Sequence, residues 1–376
     1  MDPFEFHSHL TWAEVDLKAI QHNYREIKRV ASRQIEILPV IKADAYGHGM
    51  IPVATLLNRL GAGLFGVSNV NEGKALRKHG IRKTILLFET TLPDLAEDIV
   101  DYHLTPTICT LSLASAIDRY ARFKHKRIGI HVKVDTGMGR LGVWHSEALE
   151  FIKKIVESPN LSLEGLYTHF PVADTDPQFT RRQLRQLTQL LYDLRKISII
   201  VPFVHAANSM GLVGYADRIV NLARPGLMLY GLYPSPKLRN KVKLKPALSV
   251  KSKIIFLKNF AEGQSISYGR TFIAKNKMRV AMLAIGYNDG YMRCLSNQSS
   301  VLIAGRPCPV VGRVTMDQTM VDVTKVKNVR LGQEAVILGS QKNQTISADD
   351  LAGAADTISY EIVCSLGNSL PRVYKG

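Results

Sequence analysis

Cysteine is scarce in this chain of 376 residues: Cys109, Cys294, Cys308 and Cys364 are the four, and no two share a Cys-x-x-Cys spacing. That argues against a disulfide framework and against a metal site built on cysteine, and it fits reduced thiols in a cytoplasm. Long apolar runs are missing as well. No stretch reaches the ~18 uncharged apolar residues of a membrane span, and no charged-then-apolar leader precedes a small-residue cleavage site, so neither membrane insertion nor secretion is expected. Met1 to His7 read as an extension. Acidic residues are few relative to basic ones, 32 against 49, for a formal charge of +17. Such a surplus attracts anions. The basic residues are spread along the chain, however, and clusters such as Arg181-Arg182 and Lys237 to Lys245 lack interleaved aromatics, so no dedicated nucleic-acid partner is expected.

With 46% hydrophobic residues the chain is globular, and its length implies two domains. Apolar, β-branched runs read as eight buried strands: Ile35 to Ile41, Leu64 to Val67, Thr84 to Leu87, Leu104 to Ile108, Gly129 to Val134, Leu163 to Tyr167, Phe203 to Ala206 and Ile219 to Ala223. Between them lie helical spacings such as Ile51 to Leu60, Asn71 to Lys78, Leu111 to Phe123, Glu147 to Val156 and Gln178 to Leu194. Eight strand–helix units predict an α/β chain with a closed, TIM-type (β/α)8 barrel over residues 1–243. After Pro234 and Pro236 the rhythm changes to short alternating strands, which predicts a mainly β C-terminal domain over 244–376, with residues 12–17 available to pair with it. Barrel chemistry sits after the C-terminal ends of strands. Lys42, Lys133, Arg140, His169, Asn208, Ser209, Arg224 and Gly226 all follow strands.

The segment Val40-Ile-Lys-Ala-Asp-Ala-Tyr-Gly-His-Gly49 places one lysine at the end of an apolar run, where desolvation favours a free amine able to attack carbonyls. Tyr46, Gly47 and Gly49 add a hydroxyl and a backbone free to approach an anion. Alone, the segment also fits a solvated lysine. Five further motifs decide between these readings: Val132-Lys-Val-Asp-Thr-Gly-Met-Gly-Arg-Leu-Gly142 with Tyr167-Thr-His-Phe170, His205-Ala-Ala-Asn-Ser209, Leu222 to Gly231, Ser267-Tyr-Gly269, and Gly312-Arg-Val-Thr-Met-Asp-Gln318. In order and spacing, from Trp12 to Tyr374, the set closely resembles the alanine racemases.

The resemblance implies a pyridoxal 5′-phosphate enzyme that interconverts L- and D-alanine, supplying D-alanine for bacterial peptidoglycan from the cytoplasm. It implies a homodimer with composite sites. Removing an α-proton needs an electron sink, which the cofactor provides. Lys42 would form the Schiff base with it and then act as one acid–base group, and Tyr268 of the partner subunit would serve the opposite face. The phosphate would be bound by Tyr46, Ser209, the amides near Gly226 and Leu227, and Tyr360, with Asn208 beside them. Arg224 would face the ring nitrogen, with His169 holding the arginine. Arg140 would meet the cofactor's phenolic oxygen and the substrate carboxylate, and Lys133, carbamylated, would orient Arg140. Met316 and Asp317 of the partner would reach the substrate carboxylate, and Tyr287, Arg293 and Arg313 would line an entrance corridor. Taken singly, Tyr268 reads as a turn tyrosine, Tyr360 as core and His169 as structural. Ala207, Asn288, Thr315 and Ser369 depart from the usual family residues without removing a named group. The motifs leave open racemisation of serine, lysine or several amino acids. A non-catalytic carrier of the cofactor is disfavoured by Tyr268 and Met316 in a full second domain, and a nucleic-acid binder rests on charge alone.

Overall fold

The computed structural model describes residues 9–215 and 219–376, and the extension expected at Met1 to His7 lies outside the described residues. The chain divides into two compact units. One holds Gln21–Ala45 and Met50–Leu244; the other holds the residues up to Ile20, Tyr46–Gly49 and Lys245–Gly376.

In the first unit the parallel strands Glu36–Ile37, Leu64–Val67, Thr84–Leu87, Thr107–Ile108, Ile128–Asp135, Leu161–Tyr167, Phe203–His205 and Leu222–Ala223 close into a barrel. Ladders join most neighbours, and Leu222 pairs back on Glu36. Single bridges complete the ring, Val40 to Gly66 and Leu86 to Thr105, together with the Arg224 N–H donated to Ala207 O at 2.9 Å. Both faces are covered, as a parallel sheet requires: Phe65, Val67, Ile85, Leu86 and Leu166 are wholly buried. The helices earn their places by amphipathicity and caps. Pro177–Lys196 starts with proline behind an Asp176 cap and buries Leu187 and Leu194, and Thr110 caps Leu111–Phe123.

One expected strand is corrected. Ile35 to Ile41 is regular strand only at Glu36–Ile37; beyond it Leu38 N–H still donates to Ala223 O at 2.8 Å and Val40 N–H to Pro225 O at 3.0 Å, while Pro39 has no N–H to give the neighbouring strand and contributes only its carbonyl, to Gly66 N–H. In the strand Leu161–Tyr167 the register slips between Ile130 and His131, and His131 comes to face Gly165. A Cβ at Gly165 would stand 2.3 Å from the His131 ring, so glycine makes the histidine's seat.

The second unit is built on a nine-stranded sheet whose spine is Leu248–Phe260. Along it Leu248, Val250, Ser252 and Ile254 are buried in alternation. Thr11–Asp16 pairs antiparallel to it, with Ala13 opposite Val250, and parallel to Arg372–Lys375 on its other side. The strand Arg306–Pro309 pairs antiparallel with Ser300–Ile303, and Val310 bridges Val321. Helices Ala348–Ala355 and Ser359–Ser369 complete the unit. Among the described residues no helix is long and apolar enough to cross a membrane, and no group of three or more His, Cys, Asp or Glu could hold a metal ion.

Candidate active site

Lys42, half-buried, opens a turn of the wrong hand. Ala43, Asp44, Ala45 and Tyr46 have φ of 51, 50, 57 and 54°, four consecutive non-glycine residues in the left-handed region. For L-residues a left-handed helix costs roughly 1–2 kcal/mol per residue, so tertiary bonds must hold this one. Some of them are visible: Ala45 N–H donates to Ile41 O at 2.9 Å, and Asp44 Oδ1 accepts Met50 N–H at 2.6 Å. Gly47 and Gly49 follow with φ of 82 and 86°. A Cβ at Gly47 would stand 2.5 Å from Val363 O, and one at Gly49 would overlap the Tyr374 hydroxyl, so both make room for the second unit's own C-terminal segment. In that unit the Tyr46 and Tyr360 rings lie 5.9 Å apart, and burial pushes the Tyr46 phenol up.

Arg224 is sealed inside the barrel at 4% exposure, and no carboxylate pairs with it among the described residues. Its Nη1 donates to His205 Nδ1 at 2.7 Å, and its Nη2 to Thr168 O at 2.8 Å, Ala206 O at 3.2 Å and His169 Nδ1 at 3.3 Å. Burial lowers its pKa to about 10, which still leaves it charged at neutral pH. His169 touches the arginine, but the shorter bonds come from His205 and a backbone carbonyl. Donor counting fixes the tautomers. A guanidinium only donates, so His205 accepts at Nδ1 and carries its proton on Nε2. That Nε2 lies 2.8 Å from His131 Nδ1, which must accept, and His131 in turn carries its proton on Nε2, a buried atom with no partner among the described residues. Burial first, then the nearby arginine charge, lowers His131 to about 3 and His169 and His205 well below the usual histidine value. Tyr167 stacks on His205, ring centroids 4.4 Å apart, and lies 5.1 Å from the Arg224 guanidinium.

Lys133 is buried beside this cluster, its amine 5.5 Å from the Tyr167 ring centre. Burial, then repulsion from Arg140 and Arg224, lowers its pKa to about 8. Asp135 serves the following loop instead of pairing with the lysine: its carboxylate accepts the N–H groups of Gly137 and Met138 at 2.8 Å and of Arg140 at 3.0 Å. Burial raises the Asp135 pKa, and these donors outweigh it, leaving it lowered. Asp135 thus shapes the turn that presents the exposed Arg140. Asn208 caps the short helix Ser209–Gly214, and Ser209 Oγ accepts the Gly226 N–H at 3.2 Å. A short helical turn begins at Leu227, where leading N–H groups lack intrahelical partners.

In the second unit three loops meet around Tyr268. Ser267 Oγ donates to Arg313 O at 2.6 Å, and Tyr287 and Asn288 donate their N–H groups to Thr315 O and Met316 O at 3.0 Å each. Ser296 Oγ accepts Val314 N–H at 2.9 Å and donates to Arg293 O, which ties the Arg293 turn to the same group. Tyr268 is 72% exposed and Met316 53%, unusual for such side chains. Arg293 and Asp317 are exposed as well. Asp289 is pushed up by burial and then by Asp317.

Sequence reading missed His131, Tyr167, His205 and Asp135 as members of the site. Alternation was the available signal: His131, Lys133 and Asp135 are spaced by two on one strand, and the first two point to the same face.

A closed parallel barrel with polar side chains gathered at the carboxyl ends of the strands, Arg224 and Lys133 buried within it, and a β-rich companion unit define a two-unit barrel enzyme. The family models "Alanine racemase, N-terminal domain" and "Alanine racemase, C-terminal domain" match residues 15–234 and 247–374. Similar proteins include the alanine racemases of Halothermothrix orenii, 43% identical with 97% of both chains covered, and of Carboxydothermus hydrogenoformans, 43% identical with 96% of this chain and 99% of that one covered. The solved alanine racemase of Clostridium difficile 630 is 33% identical at a TM-score of 0.92, covering 98% of this chain and 96% of that one. The chain belongs to the alanine racemase family of isomerases.

Proposed function

We propose that the chain is a pyridoxal 5′-phosphate-dependent racemase that interconverts L- and D-alanine in the cytoplasm, works as a homodimer and supplies D-alanine for bacterial peptidoglycan. The observation that carries this reading is Arg224, a fully buried cation with no carboxylate partner among the described residues, whose donors are fixed by His205, Thr168 and Ala206. The donor set around it is cationic and hydroxylic, with Lys42, Lys133, Arg140, Ser209 and the amides at Gly226 and Leu227, and suits an anionic group bearing a phosphate and a ring nitrogen. Pyridoxal phosphate, when bound, supplies the electron sink that makes an amino acid's α-proton removable.

Lys42 would hold the cofactor and move the proton on one face, and Tyr268 of the partner subunit would do so on the other. The exposure of Tyr268 and Met316 supports a surface completed by a second copy. Arg224 would donate to the ring nitrogen without protonating it, since a guanidinium does not give up its proton at neutral pH. Ser209, Gly226, Leu227, Tyr46 and Tyr360 would hold the phosphate, next to Asn208. Arg140 would orient the substrate carboxylate, Lys133 as a carbamate would orient Arg140, and Met316 and Asp317 of the partner subunit would border the substrate, with Tyr287, Arg293 and Arg313 along its entrance. On this reading residues 1–243 supply most of the cofactor's ligands, and 244–376 add Tyr360 and provide the second base.

An absorption spectrum before and after borohydride reduction, followed by polarimetry on L-alanine, tests the reading. The expected result is a reduced cofactor peptide containing Lys42 and racemisation to an equal mixture. A cofactor peptide mapping to another lysine, or preparations loaded with cofactor that leave L-alanine unchanged, would overturn it.

A further inference from the structure

Glu72 sits in the first turn of the helix Val70–Lys78, whose cap is Asn69. Its carboxylate leaves that helix. Oε1 accepts the N–H of Ala43 at 2.7 Å, and Oε2 accepts the N–H of Ser68 at 2.6 Å. One side chain therefore joins the residue after Lys42 to the residue after the strand Leu64–Val67, and it bonds the first member of the left-handed turn. The charge also bears on the lysine. Lys42 is among the groups that favour ionised Glu72, against burial, which is the largest influence and raises its pKa; Glu89, whose carboxylate accepts the Ser68 hydroxyl at 2.5 Å, raises it as well.

We infer that Glu72 is a positioning residue for Lys42: its two oxygens clamp the strained turn that begins beside the lysine, tying it to the end of the strand Leu64–Val67. The inference rests on the proposed role of Lys42. Donor counting explains why a carboxylate is needed. Two N–H groups from separate segments require two acceptor oxygens, and a glutamine offers one, setting its own NH2 against the other N–H. The turn cannot rely on intrinsic preference, since alanine at Ala43 and Ala45 favours the opposite hand.

The test compares holoenzyme carrying Glu72→Gln with wild type by peptide-resolved hydrogen exchange, by the fraction of cofactor trapped on Lys42 with borohydride, and by kcat and KM for alanine. The expected result is faster exchange at Ala43 and Ser68, unchanged exchange along Pro177–Lys196, a smaller trapped fraction on Lys42, and a kcat lowered on the order of a hundredfold with KM nearly kept. Exchange that stays at the wild-type rate overturns the clamp. Faster exchange with wild-type trapping and kcat overturns the positioning role. Should the wild-type cofactor be trapped on a different lysine, the functional reading falls and takes the positioning role with it, while exchange at Ala43 still reports the clamp separately.

Discussion

Arg224 Nη1 donates to His205 Nδ1 across 2.7 Å, and this one bond dictates the protonation of two histidines. Because the arginine has no acceptor to offer, His205 and His131 are both neutral with the proton on Nε2, and the chain of bonds runs outward from the cation. The orphaned Nε2–H of His131 is the cost of that polarity, on the order of 1–3 kcal/mol for a buried donor without a partner.

This arrangement makes the fold sensitive to acid. Unfolded histidine titrates near ~6.5, whereas folded His131 does so at about 3 and His205 well below its usual value. Between those limits the unfolded chain binds protons that the folded chain refuses, so stability is full above the unfolded value and falls as pH falls. Each such histidine contributes about 1.4 kcal/mol per pH unit. Urea melts between pH 6 and 4.5 should show this slope in wild type and a slope smaller by one histidine in His131→Phe. Equal slopes would remove His131 from the buried neutral set.

Lys133, at about 8 and pressed by two arginines, has an appreciable neutral fraction at mildly alkaline pH. A neutral amine is what carbon dioxide attacks, and the resulting carbamate exchanges a like-charge clash for an attraction to Arg140. Enzyme equilibrated with 13C-bicarbonate at pH 8 should give a carbamate resonance that is absent from Lys133→Arg and weakens as pH falls below the lysine's value. A resonance unchanged in Lys133→Arg would assign the modification elsewhere.

The barrel was legible because its strands are short apolar runs at regular spacing, and length and β-branching suffice for that. The turn after Lys42 was not. Ala43 and Ala45 carry no local signal for positive φ, and what holds them is Glu72, 29 residues away, together with Asp44 bonding ahead to Met50. Gly47 and Gly49 were noticed for their backbone freedom, but its use depends on Val363 and Tyr374 at the other end of the chain. His131 is hidden for a similar reason. A histidine in an apolar strand reads as an ordinary core residue until the bulge opposite it and Gly165 show the seat built for it.

Strain at the turn predicts a trade between stability and rate. Ala43 is exposed with φ of 51°, a conformation glycine adopts freely. Ala43→Gly should raise the unfolding free energy by about 1 kcal/mol while lowering kcat, since the segment beside Lys42 gains alternatives. Calorimetry and steady-state kinetics on one preparation check both signs. A variant less stable than wild type would mean that the turn is not strained at Ala43.

Tyr268 belongs to the second unit and Lys42 to the barrel, and the 72% exposure of the tyrosine is what a residue serving another subunit would show. Lys42→Ala and Tyr268→Phe homodimers should each be nearly inactive, since every site lacks one proton-carrying group, a loss on the order of a hundred- to ten-thousand-fold. In a two-fold dimer of one chain of each kind, one site draws its lysine and its tyrosine from the two unaltered positions and is intact, while the other lacks both. Equal amounts unfolded and refolded together pair at random, so half the dimers are mixed and about a quarter of wild-type activity should return if the sites act independently. The mixed species is countable by native mass spectrometry when one parent carries a tag. If those dimers form and activity stays at the level of the parents, Lys42 and Tyr268 do not share a site across the interface.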